Sequence, residues 1–216
     1  MFTVIMLSYA IVLCFLLAES FRWSDNSRWR IWFLRLMLFG MIYDNVAQGA
    51  GFVFIDQDWF VWANYPRYYL HVWVLPFLTL FAFSIMKDAG VGIAGNRLFA
   101  GFCIAFTGVS LIYGSWHELR DLELGVYESM ELVRLKKITE SIPYATILTN
   151  FLVIIFAAVV WRVNGWKWFF LGALFIFVLN SITGGFPWGF AVGNFAEVVF
   201  IFSLLKTEQH FTHKGV

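Results

Sequence analysis

The chain has 216 residues, of which 61% are hydrophobic, 21% aromatic and only 13% charged, and its mean hydropathy is +0.74. A soluble domain carries roughly a quarter charged residues, so most of this surface faces something other than water, and one integral-membrane domain over 1–216 takes up the length. The net charge of +1 excludes the strongly basic patch that nucleic-acid binding requires.

A bilayer core is crossed by about 20 predominantly apolar residues. Such runs lie at about 2–20, 31–55, 68–87, 97–116, 144–162, 167–184 and 188–206, which predicts an all-α, multi-pass bundle of about seven transmembrane helices. The first run lacks the basic flank and small-residue cleavage site of a signal peptide, and is expected as a retained helix. Cys14 and Cys103 fall in separate apolar runs and read as small buried hydrophobes, not as a disulfide.

Pro76 lies inside the third run and should kink it. Pro143 and Pro187 stand where proline can open a helix. The glycines of Gly90-Val91-Gly92-Ile93-Ala94-Gly95 match a dinucleotide-binding pattern literally. With no preceding strand and no following acidic residue at the required spacing, they read as a turn. The polar segment at about 117–143 carries Val126, Met130 and Val133 at helical spacing. An amphipathic helix lying in the interface is expected there, or equally a solvated connecting helix.

Lys and Arg divide unevenly between alternate connections. One side has Arg22, Arg28, Arg30, Arg35, Lys87, Arg97, Arg162, Lys167, Lys206 and Lys214, and the other Arg67, Arg120, Arg134, Lys136 and Lys137. The positive-inside rule then places the N-terminus outside and the C-terminus in the cytoplasm. Trp59, Trp62, Tyr65, Tyr68, Tyr69 and Trp73 mark one membrane boundary, and Trp161, Trp166 and Trp168 the other.

A charge near the bilayer centre costs at least about 2.5–3.5 kcal/mol, so it stays only with a partner, a cavity or a function. Asp44 and Glu197 lie about halfway along the second and seventh runs and are the candidate catalytic pair. Gln48 shares a helix face with Asp44, and Asn194 with Glu197. His71, His117, Asn150 and Asn180 fall in the same outer halves, giving a polar lining that deepens toward the midplane. Gln48, His71, Asn150, Asn180, Asn194 and Tyr43 are the candidate substrate-binding residues. No Lys or Arg is expected near the two acids, and Arg35 should reach outward to the surface. A carboxyl buried without a cation keeps its proton and can donate it.

Neither metal nor cofactor is expected. His71 and His117 lack ligand spacing, His210 and His213 stand in a polar tail, and Lys167 and Lys206 lie at helix ends, where they do not provide the buried Schiff-base lysine of a retinal pigment.

The seven apolar runs, with acids on the second and last, resemble the small seven-helix membrane-bound terpene cyclases of meroterpenoid pathways. In that family an acid after a tryptophan on the second helix and an acid on the last helix drive protonation-initiated cyclisation. Asp44, after Tyr43, and Glu197 take these positions, with Asp and Glu exchanged and the tryptophan and following tyrosine absent. The resemblance implies a lyase- or isomerase-type enzyme of lipid or isoprenoid metabolism, with a lipophilic small-molecule substrate among membrane lipids. Two other readings stay open: a small-solute or ion transporter or channel, and a non-catalytic assembly subunit in which the acids only tie helices together.

Overall fold

The computed structural model describes residues 1–23, 29–139 and 141–213. It is all-α, 81% helical, and its described helices form seven rods. These are α1 (Phe2–Trp23), α2 (Trp29–Phe54), α3 (Asp58–Val74) continuing into α4 (Leu78–Asp88), α5 (Arg97–Gly114), α6 (Tyr144–Asn164), α7 (Trp168–Thr183) and α8 (Gly189–His213). Between α3 and α4 the backbone tightens into a 3-10 turn at Leu75–Phe77, the interruption that Pro76 imposes by removing an amide donor. A π turn at Ser115–Leu119 extends α5.

Five stretches are long and apolar enough to cross a bilayer: Phe2–Arg22, Asp58–Asp88, Arg97–Leu119, Tyr144–Asn164 and Gly189–Thr212. The apolar run of α2 is diluted by Asp44, Asn45 and Gln48. The 16 residues of α7 reach only roughly 24 Å, short of the ~30 Å hydrocarbon core. Large apolar side chains point outward, as Val109 at 66% and Ile112 at 74% exposure show on α5.

α1 packs on α2, α7 on α8, and α8 returns to both α1 and α2. The apolar core gathers at the end of the bundle where α8 finishes, called here the tail end. Leu34, Leu38, Leu78, Phe81, Ile85, Phe169, Ile201 and Leu204 are fully buried there. Between helices in lipid, the gain is close packing more than removal of apolar surface from water. Gly172 illustrates it: a Cβ there would overlap the Ser203 side chain, so α7 and α8 meet almost backbone to backbone. Arg22, Arg30, Arg35, Lys87, Arg97, Arg162, Lys167 and Lys206 fall toward this end. Arg28 and Lys214 lie outside the described residues.

The opposite end is roofed by a hairpin and not by the expected amphipathic helix. β1 (Leu124–Ser129) pairs antiparallel with β2 (Leu132–Lys137), in the register Ser129↔Leu132 and Tyr127↔Arg134. Met130 and Glu131 make the turn with φ of 53° and 62°, the doubly left-handed geometry of a tight hairpin turn. Val126 and Met130, expected on a buried helix face, are 65% and 47% exposed. The hairpin rests on α2 at Gly51, where a Cβ would overlap the Val133 carbonyl.

Three further expectations are corrected. α3 begins at Asp58, ten residues before the expected start, which brings Arg67 inside a helix. Its rings then form a ladder along the helix, Trp62–Tyr65, Tyr65–Tyr69 and Tyr69–Trp73, at 5.6, 6.5 and 5.1 Å. α8 continues to His213, so His210 is no loose tail residue, and its ring stacks on Trp166 at 3.9 Å. Arg35 turns inward: it is buried, donates to the Ser20 hydroxyl and carbonyl at 3.1 and 2.9 Å, and lies 3.8 Å over the Phe21 ring. An arginine can satisfy its charge on an aromatic face without reaching water.

Candidate functional site

α2 and α8 are direct neighbours, and this turns the two midway acids toward one space. Asp44 and Glu197 both line a cavity of about 230 Å³. Its wall is largely apolar, from Leu36, Met37, Leu70, Ile176 and Phe200, with Arg67, His71, Thr146, Asn150 and Asn180 as the other polar groups. A second cavity of about 630 Å³ adjoins it through Asn180 and Glu197, and is lined by Gln48, Asn194, Tyr127, Arg134 and Lys136. A third, of about 260 Å³, shares Asp44, Arg67 and His71 with the first and reaches Glu118 and Lys137.

Asp44 is fully engaged. Its Oδ1 accepts from Arg67 Nε at 2.7 Å and its Oδ2 from Gln48 Nε2 at 2.5 Å. Gln48 Oε1 in turn accepts from Arg134 Nη1 at 2.7 Å. Arg67 Nη1 donates to Asn64 Oδ1 at 2.8 Å and to the Leu135 carbonyl at 3.2 Å. The result is a relay from β2 through α2 to α3, with charge-assisted bonds at both ends. The expectation that no cation stands near the acids is therefore overturned for Asp44. Starting α3 at Asp58 places Asn64, Arg67 and His71 on one helix face, and that face meets α2.

Glu197 is in a different state. Among the described residues it makes no hydrogen bond and no ion pair, and its accessible surface opens into the first two cavities. Two carboxyls thus border one space, one in an ion pair and one without a cation partner. Such contrast is how a site divides acid and base roles between like groups.

The other candidates divide. His71, Asn150 and Asn180 line the first cavity, while Gln48 and Asn194 line the second. Asn194 Nδ2 also lies 3.4 Å from the Met6 sulfur. Tyr43 lies outside the lining; its hydroxyl donates to the Ala63 carbonyl and ties α2 to α3. His117 stacks between Tyr113 and Tyr144 at 5.2 and 6.1 Å, away from the acids. Arg67, Arg134 and Lys136 were not anticipated. Burial first, and then the nearby Arg67 charge, lower Arg134 from the ordinary arginine value, with Asp44 partly opposing. Among the described residues, no three His, Cys, Asp or Glu side chains group closely enough to hold a metal ion.

No protein-family model matches the chain, and no curated protein matches it in sequence.

Proposed function

We propose that this protein is a membrane-embedded acid/base enzyme that isomerises or cyclises a lipid or isoprenoid substrate. The observation that carries the reading is the shared apolar cavity bordered by a paired Asp44 and an unpaired Glu197. Glu197 delivers its proton to a carbon of the substrate, the resulting cation rearranges in the apolar chamber, and a proton leaves a neighbouring carbon for Asp44. The product is an isomer, so no oxidant or second substrate enters. Arg67 and Gln48 hold the Asp44 carboxylate in place.

In this reading all seven rods cross the bilayer, with the hairpin at the outer face and the C-terminus in the cytoplasm. Support comes from the packing of α2 against α1 and α8 and of α7 between α6 and α8, and from the cations gathered toward the tail end. A carrier would need a path through that end too, and there the core side chains fill the bundle.

The test is turnover of an isoprenoid and lipid panel by the purified chain in D2O. The expected product carries one solvent deuterium at carbon. Glu197→Gln should lower turnover by about 100-fold or more, the usual contribution of a positioned acid, with its thermal unfolding almost unchanged. Unaltered turnover in both Glu197→Gln and Asp44→Asn would overturn the proposal.

A further inference from the structure

The second cavity meets the proposed chemistry only at Gln48 and Glu197, and the rest of its lining differs in kind from that of the first. Alternation along β2 directs Arg134 and Lys136 into it, whereas Lys137 lines the third cavity. The rest of the wall is backbone-rich. Gly184, Gly185 and Gly189 line it where α7 turns into α8; the Gly184 and Gly189 amides are bonded within that turn, and the α8 N-terminus contributes the positive end of its dipole. Arg134 is held for recognition: Nη1 is bonded to Gln48, and the guanidinium lies 4.2 Å over the Phe190 ring. Its Nε is buried with no acceptor among the described residues, and no described carboxylate pairs with it. A partly buried guanidinium with no carboxylate in ion-pair contact, beside a second cation on the same strand, is suited to receive an anion. Asn180 and Glu197 stand where this chamber meets the apolar one.

We infer that the second cavity receives the anionic head group, phosphate or carboxylate, of a single-chain amphiphile whose apolar tail lies in the first cavity. This rests on the proposed function for the tail's place beside the reacting acids, and it adds the substrate class. Arg134 supplies the charge-assisted bonds, Lys136 adds a second positive charge, and the junction at Glu197 sets how far along the tail the proton is delivered.

The experiment measures binding, not turnover, on the full chain in nanodiscs, with decyl phosphate, decanol and inorganic phosphate as probes. Decyl phosphate is expected to bind about 10-fold or more tightly than decanol, and inorganic phosphate far more weakly than either. Arg134→Gln should abolish the preference for the phosphate head while decanol binding changes less than about two-fold. Lys136→Gln should reduce the preference in part. Equal binding of decyl phosphate and decanol overturns the inference, as does an Arg134→Gln loss that falls equally on both. Competition by inorganic phosphate as strong as by decyl phosphate overturns the tail's placement. If Arg134→Gln does not fold, the wild-type probe series and Lys136→Gln decide. Head-group preference without any turnover in D2O would sink the enzyme reading and leave this site standing; turnover without the preference would do the reverse.

Discussion

Two arginine–carboxylate clusters stand at opposite ends of the same helices, and they differ in what borders them. At the tail end Arg30 Nε meets Glu208 at 2.7 Å, and Arg30 Nη1 meets Asp88 at 2.7 Å and Ser84 at 3.1 Å. The Arg30 and Glu208 side chains are only 3% and 2% exposed, and Thr212 donates to Glu208 at 3.1 Å. This cluster joins α2, α4 and α8 beside close-packed apolar side chains. At the hairpin end Arg67 meets Asp44 at the same 2.7 Å, but the Asp44 side chain keeps 27% of its surface, and that surface faces a cavity. Equal ion-pair distances therefore carry unequal meaning. A buried pair enclosed by packing is a tie between helices, and one with space beside it is available to a ligand.

The comparison can be broken by stability measurements. Arg30→Ala should have the largest effect, a loss of ~3–5 kcal/mol, because it strands the buried Glu208 carboxylate; thermal unfolding in detergent reads it. Asp44→Asn should cost less, ~1–3 kcal/mol, since Arg67 keeps Asn64 and Leu135 as acceptors. If Asp44→Asn destabilised more than Arg30→Ala, the distinction between tie and site would fail. Gly51→Ala should also cost ~1–3 kcal/mol, because its Cβ would overlap the backbone carbonyl of Val133 and the hairpin must move off α2. Limited proteolysis at residues 124–137 should then quicken while the helices stay intact.

Much of the fold was legible because a membrane span must be long and apolar, as five of the rods are. Asp44 and Glu197 were legible for the complementary reason, the cost of charge at that depth. What escaped had physical grounds. Residues 58–67 mix Asp58, Asn64, Pro66 and Arg67 with aromatics, so the first turns of α3 look like a connection although packing makes them helix. The hairpin was hidden because Met130-Glu131 lacks the glycine or asparagine that such a turn favours. Its buried Leu132 and Leu135 also lie three apart, a helical spacing. Glu208 lies past the last apolar run, where Lys206 to His210 reads as polar tail; the tertiary bond to Arg30 makes it part of the bundle.

The turn of the hairpin has a consequence for how the site is reached. Two six-residue strands joined through left-handed Met130 and Glu131 have little stability of their own. They are held from outside, by Arg134 on Gln48, by the Lys137 amide on the Tyr68 hydroxyl and by Ser129 on the Pro187 carbonyl. Local unfolding of this roof opens the second and third cavities, whose walls include Tyr127, Arg134, Lys136 and Lys137. Amide exchange in β1 and β2 should report the rate at which these cavities are accessible.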